Sequence, residues 1–350
     1  MAINYATKYA TKIAERFTKA SVTADDCGNE YTWLDPNSKT IRVGSVNVVP
    51  ENDYSRTGTN RFGTVLDLGD TLQEMTTQIA KSFTFTIDAV DQTDQAIEKS
   101  AARALRRQLD EVTIPNMDKY RIKKWIMGAG TARQEASAPT KSTIGGMIID
   151  LNADMTNALV PLENRTLYIP TSYYKLLKQD PAWLGTESLA KETLTKGVVG
   201  QYDGCRVKHI PDQYFPANLY FFIKYKNSTV DPVKMQQYDI LKKVQGYSGP
   251  VVQGVTYYDS FVLGARAAGV GVSGSSAVVL TAPVFTNTSH VVTIASVSGV
   301  TFKYTTDGTD PRYSTTAQTY TGGVTLTSGQ TMRAVGTKDG CVGIVGSQDY

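Results

Sequence analysis

The sequence predicts an α+β chain that ends in a small all-β module. Three observations predict it. Strand-like and helix-like apolar periods alternate between Thr40 and Leu263, a Gly/Ser run follows at Gly269–Ser276, and only short alternating strands and turns come after it. At 350 residues the chain has length for two or three domains and a sizeable core.

The first twenty residues predict an amphipathic helix, with Tyr5, Tyr9, Ile13 and Phe17 recurring every fourth residue beside Lys8, Lys12 and Arg16. Spread charges and the lack of an apolar run exclude a signal peptide there. Its apolar face finds no partner in the adjacent sequence, so it docks elsewhere on this chain or on another.

Thr40 to Val112 is the most telling stretch. A strand over Thr40–Val49 is followed by a polar segment, Glu51–Gly63, with little that could build a core, and by a second strand over Ile79–Ile87. Connections without regular structure rarely exceed ~12–15 residues unless they are functional or disordered. A lone two-stranded ribbon is only marginally stable in water. A long ribbon with a polar tip therefore suggests an arm lying on a neighbouring subunit, against the alternative of a hairpin packed on its own domain. Tyr54, Arg56, Arg61 and Phe62 are the tip residues suited to such a contact, and Tyr5, Tyr9, Ile13 and Phe17 are their counterparts in the first helix.

A helix over Thr93–Val112 carries one apolar stripe (Ile97, Ala101, Ala104, Leu105, Leu109, Val112), with Thr93 or Asp94 as cap and Pro115 as its stop. A second helix spans Asp118–Met127, and Thr131–Ser142 reads as polar and flexible. Then come a helix over Ile144–Val160, a strand over Arg165–Ile169 and a short helix over Thr171–Gln179 capped by Thr171 or Ser172. Strands follow over Gly204–Ile210, Asn218–Ile223 and, as one long element, Val251–Leu263. Gly269–Ser276 reads as a linker. Beyond it, strands at Val291–Ile294, Thr301–Thr305, Gly323–Thr327 and Thr331–Gly336 suggest a β-sandwich, electrically neutral and appended rather than woven in.

Composition excludes several function classes. With 36 basic and 33 acidic residues the net charge is +3, which rules out a strongly basic coat that tracks a nucleic-acid backbone. No stretch approaches the ~18–20 apolar residues a membrane span needs. Three distant cysteines, Cys27, Cys205 and Cys341, give neither a disulfide framework nor zinc spacing and fit a reducing cytoplasm. Two histidines, His209 and His290, fall in separate domains, so a His-based metal site or nucleophile–base pair is not expected. Gly269–Gly274 matches a dinucleotide glycine pattern formally but leads into no helix. Asp307–Gly308 and Asp310–Pro311 read as turns rather than a calcium loop. No catalytic residue, cofactor or metal is expected.

The order of these parts resembles the major capsid proteins of tailed bacteriophages, the Hong Kong 97-like fold. The phrases that carry it are Leu68–Leu72 with Phe83–Asp88, the spine helix Asp94–Val112, Val112–Arg121, Asn164–Pro170, Gly200–Gly204 and Gly254–Leu263, over about residues 1–272. The resemblance implies an N-terminal arm (1–44), an extended loop (45–85), a peripheral domain with the spine helix (86–139 and 236–272) and an axial domain (140–235). It implies hexamers and pentamers of this chain tiling an icosahedral virion shell around DNA held by weak, non-specific contact. A separate scaffolding protein and a portal are the implied assembly partners, with no membrane. Some members crosslink through a lysine in the extended loop, but Val49–Ile79 holds none, so that crosslink is not expected. After a linker at 273–276, residues 277–350 resemble the immunoglobulin-like domain at the ends of chitobiase-type glycosidases, on the phrases Phe302–Pro311, Tyr320–Gly322 and Met332–Gly340. On a shell this module would decorate the outside. A host surface glycan is its open ligand, with a passive β-module the expectation. The rival readings are an encapsulin-like compartment shell and a carbohydrate-binding module fused to an α/β domain.

Overall fold

The computed structural model describes residues 21–33, 40–46, 54–57, 61–62, 70–86, 105–180, 198–241, 251–312 and 314–350. Tyr5, Tyr9, Ile13 and Phe17 lie outside the described residues, as does the part of the expected spine helix before Leu105.

In chain order, β1 (Thr32–Trp33), β2 (Thr40–Val46) and β3 (Asp70–Thr76) form one antiparallel sheet. The next strand, β4 (Ile79–Thr86), belongs elsewhere. The ribbon expected between 40–49 and 79–87 is thus corrected: β2 pairs β3 from Thr40↔Thr76 to Val46↔Asp70. The sequence of β3, Asp-Thr-Leu-Gln-Glu-Met-Thr, lacks apolar alternation, so its backbone ladder left little trace in side-chain pattern. The hairpin base packs through Ile41 and Met75 on Val230 and Leu263.

The helix expected to stop at Pro115 does not stop. Helical residues 105–108 pass into a π-turn, Leu109–Thr113, and on into α1 (Ile114–Met127). A proline inside a helix lacks its N–H and clashes with the carbonyl four residues back. Opening that turn, with the Ile114 N–H reaching the Leu109 carbonyl, accommodates Pro115 at the start of α1.

After α1 come β5 (Thr131–Glu135), α2 (Ile144–Asn157), β6 (Arg165–Pro170), α3 (Thr171–Leu177), β7 (Val198–Tyr202), β8 (Cys205–Ile210) and β9 (Leu219–Tyr225). The turn Asp203–Gly204, both residues at positive φ, joins β7 to β8 across the pair Tyr202↔Cys205. No side chain caps α3; the Ser172 N–H instead donates to Asp212 Oδ1 at 3.0 Å. Then β10 (Thr229–Val230), β11 (Val233–Leu241), β12 (Val251–Tyr258) and β13 (Phe261–Val262) follow. The long strand expected over 251–263 breaks at Asp259, whose carboxylate accepts from the N–H groups of Gln78 and Ser260 and from Tyr120 Oη.

Next is β14 (Val270–Ser275), which overturns the linker expectation for 269–276. It lies inside a six-stranded sheet ordered β5-β14-β9-β6-β8-β7, parallel to β5 and antiparallel to β9. Thr131–Glu135, expected to be flexible, is therefore an edge strand of the same sheet. The glycines serve close packing rather than flexibility: a Cβ on Gly271 would sit 2.9 Å from Met155 Sδ and 3.2 Å from Leu151 Cδ1.

This sheet carries cores on both faces. Leu167, Ile169, Phe221 and Ile223 pack with Ile144, Ile148, Leu151 and Met155 of α2 and Leu177 of α3. Tyr168, Phe222, Val270 and Val272 pack with Ile122, Trp125 and Ile126 of α1. The other end of α1 packs through Ile114 and Met117 on Tyr258 in the sheet β11-β12-β4, so one helix joins two sheets.

The chain then turns at once into β15 (Val279–Leu280), β16 (Phe285–Thr288), β17 (Val291–Ile294), β18 (Thr301–Thr305), β19 (Gln318–Thr319), β20 (Val324–Thr325), β21 (Thr331–Thr337), β22 (Val342–Gly343) and β23 (Val345–Asp349). Sheets β16-β17-β20 and β19-β18-β21-β23 enclose Val292, Ile294, Phe302, Leu326, Met332 and Ala334. The expectation of an appended module holds for strand pairing but not for packing, since Val278, Val279 and Val342 are buried in the α1 core.

Gly271→Val tests the strand reading. Overpacking against Met155 and Leu151 is expected to cost about 1–3 kcal/mol in urea unfolding. A flexible linker would leave stability unchanged.

Candidate assembly interface

The surfaces singled out by sequence are the first helix and the tip of the hairpin arm; what the structure adds is how their bases are fixed. Residues 21–31 cross the α1 face of the large sheet and are held there by buried charge. Asp26, 1 % exposed, accepts from Lys208 Nζ at 2.7 Å, Arg206 Nη2 at 2.7 Å, Tyr168 Oη at 2.5 Å and Thr166 Oγ1 at 3.1 Å. Its backbone carbonyl accepts from Lys224 Nζ at 2.5 Å, and that ammonium lies 4.5 Å from the Trp125 ring centre.

Two flanking carboxylates extend the network. Asp118 on α1 accepts from Ser21 Oγ, the Val22 N–H and Thr23 Oγ1 at 2.5, 2.9 and 2.7 Å. Asp231 accepts from Trp125 Nε1 at 2.9 Å, Ser260 Oγ at 2.5 Å and Thr229 Oγ1 at 2.8 Å. Gly28 passes so close to Thr229 that a Cβ there would meet its carbonyl oxygen at 1.8 Å, so no other residue fits.

Burial alone would raise the Asp26 carboxyl, but Lys208, the Tyr168 hydroxyl and Arg206 together hold it below its ordinary value. Burial, reinforced by Asp26, pushes the Tyr168 phenol well up, and burial draws the Lys224 ammonium down. A charge removed from water this completely is stable only when paired and hydrogen-bonded.

The arm tip is built differently. The Ser55 N–H donates to the Arg61 carbonyl at 3.0 Å, closing a loop over which the Tyr54 and Phe62 rings meet edge to face at 5.2 Å. Tyr54 is 56 % and Phe62 84 % exposed, and Arg56 and Arg61 are exposed beside them. The structure therefore brings these four predicted residues together at one exposed tip. Two exposed aromatic rings with two exposed arginines nearby in sequence form a surface suited to covering by another protein.

Sequence reasoning missed the Asp26 network. One signal was available: Lys224 directly follows the apolar run Leu219–Ile223, an inward lysine in a buried strand that requires a carboxylate or carbonyl partner.

The other groups weighed from sequence sit in local contacts. His209 stacks on Tyr174 at 5.0 Å and His290 on Tyr350 at 4.3 Å. Cys27 and Cys205 are buried free thiols, with burial pushing Cys205 up to about 12. Asp307 accepts from the Thr309 N–H and Asp310 from the Arg312 N–H, which are turn contacts. Among the described residues no three His, Cys, Asp or Glu side chains group to hold a metal.

Asp26→Asn leaves buried cations uncompensated and is expected to cost about 3–5 kcal/mol of unfolding free energy at neutral pH. Because the folded carboxyl lies below its unfolded value of about 3.9, its contribution is complete above that value and is lost as pH falls through the folded one. Acid titration of unfolding should show that loss in the wild-type chain and its absence in Asp26→Asn.

Residues 292–350 match the model of the Fn3-associated family. No curated protein matches the sequence. The chain aligns with a solved chain from Mycobacterium phage Che8 at a TM-score of 0.54 and 19% identity, covering 72% of this chain and 90% of that one. It aligns with a virus-like particle from Pyrococcus furiosus at a TM-score of 0.50 and 9% identity, covering 77% of this chain and all (100%) of the other. A capsid chain of cyanophage P-SCSP1u gives a TM-score of 0.48 at 12% identity, over 73% of this chain and 88% of that chain. The chain has the Hong Kong 97-like capsid fold, followed by an immunoglobulin-like module at its C-terminus.

Proposed function

We propose that this chain is a major capsid protein: copies of it assemble as hexamers and pentamers into the icosahedral virion shell of a tailed phage and enclose its double-stranded DNA. The observation that carries this reading is the capsid fold combined with a hairpin arm that exposes the aromatic rings of Tyr54 and Phe62. Residues 1–44 act as the N-terminal arm and 45–85 as the extended loop. Both leave from bases fixed in the body, and Tyr5, Tyr9, Ile13 and Phe17 together with Tyr54, Arg56, Arg61 and Phe62 contact neighbouring subunits. The spine helix and the sheet β11-β12-β4 form the peripheral domain. The six-stranded sheet with α2 and α3 forms the axial domain, enlarged beyond 140–235 by β5 and β14.

The role is structural, without catalysis. A net charge of +3 suits a shell that holds DNA without gripping it, since tight backbone tracking needs a strongly basic surface. No helix among the described residues is long and apolar enough to cross a membrane. A separate scaffolding protein and a portal are the assembly partners, with assembly in the host cytoplasm. Residues 277–350 lie on the outside of the shell.

A second reading of the same fold is a compartment shell that holds protein cargo. Nucleic-acid content of purified particles separates the two.

Paired substitution Tyr54→Ser and Phe62→Ser tests the assembly reading. Both rings are exposed, so the subunit should fold as before while closed particles disappear from sedimentation profiles. Undiminished particle yield would contradict the role given to the tip.

A further inference from the structure

We propose that the C-terminal module is a clasp on the body of its own chain, so that body and module fold and unfold as one unit. Two contacts meet the C-terminal end of α1, and two features of the seam hold them in place. Val278, Val279 and Val342 are buried in the cluster that holds Trp125, Ile126, Val270 and Val272. The first strand of the module, β15, pairs in parallel with β22 near its end, and the Val342 N–H donates to the Val278 carbonyl at 2.7 Å. The module is thus fastened to itself at the seam where it meets the body.

The second contact is polar. Arg312 Nη1 donates to the carbonyl of Ala129, just past α1, while its Nη2 is held 2.6 Å from Asp310 Oδ2. Carbonyls beyond a helix end lack intrahelical partners, and a cation there also meets the negative end of the helix dipole. The module supplies that cation. No slack separates the parts: β14 ends at Ser275, the Val278 N–H turns back to the Ser275 carbonyl, and β15 starts at Val279.

The clasp reaches the arm base as well. The same cluster includes Cys27 and is packed by Val22, so the module closes a core whose opposite side seats the segment pinned by Asp26. Removing apolar cover from one side of a shared core lowers the local opening free energy of every element in it.

The test uses the full-length chain in its unassembled form and does not depend on shell formation. A protease recognition sequence is inserted between Ser276 and Ala277, in an exposed turn. After cutting, the two fragments are expected to co-elute in size exclusion at micromolar concentration, and Arg312→Gln with Val279→Ala is expected to release the module. In the uncut chain, hydrogen exchange at the amides of Ile122–Gly130 should speed up at least tenfold in each single variant. Fragments that separate on cutting, or α1 exchange indifferent to both substitutions, would overturn the proposal. If the insertion blocks folding, exchange in uncut Arg312→Gln decides alone.

Discussion

The structure depends on one buried carboxylate. Asp26 is 1 % exposed and faces Lys208, which is equally buried, with Arg206, Tyr168 and Thr166 completing its shell. Lys208 could not be left in the interior without it, and the carboxylate could not be buried without its cations. The result is a fixed register for residues 21–31 across strands β6, β8 and β9. A purely apolar seat would tolerate sliding by a residue; hydrogen-bonded charges do not. If the residues before Ser21 reach a neighbouring subunit, as proposed, that loss of freedom sets where they depart. Buried ion networks are weak sources of net stability, and specification of a unique arrangement is the better account of this one.

From that anchor the rest follows through α1. One helix carries Asp118 toward the arm base, Trp125 toward Lys224 and Asp231, and Met117 toward the second sheet. Its π-turn lets the helix run past Pro115 as a continuous strut rather than two short pieces. The strut ends against the module, where Arg312 meets the Ala129 carbonyl. The hairpin arm, seated on Val230 and Leu263, and the arm base, seated on the large sheet, are thereby referred to one frame. Assembly from many modest contacts needs such a frame, because the contacts add only if they can be made simultaneously.

Much of this was legible in the sequence, and what was not has a common cause. Strands β2, β4, β8 and β9 and helix α2 announced themselves through local periodicity, and the exposed cluster at Tyr54–Phe62 through its polar setting. Strand β14 did not, because Gly-Val-Gly-Val-Ser-Gly is specified by the side chains that press on it, Met155 and Leu151, which are distant in sequence. Strand β3 was hidden because its two apolar residues, Leu72 and Met75, are three apart and do not alternate at strand spacing, while its pairing with β2 is a backbone ladder. The Asp26 network was hidden for the same reason: Lys224 lies 198 residues from the carbonyl it bonds. Pro115 read as a stop because the turn that absorbs it is set by the packing of Leu109 and Ile114, not by their local propensity. The order of parts was legible; the long-range partners were not.

The measurement that tests the central claim most directly is electron cryomicroscopy of particles formed by the expressed chain, at a resolution that traces side chains. The account predicts closed shells in which each chain's 21–31 segment sits on its own large sheet around Asp26, while residues before Ser21 and the Tyr54–Phe62 tip lie on adjacent subunits. Shells in which both the first helix and the tip fold back on their own body, or a chain that forms no particle even with a scaffolding protein, would contradict it.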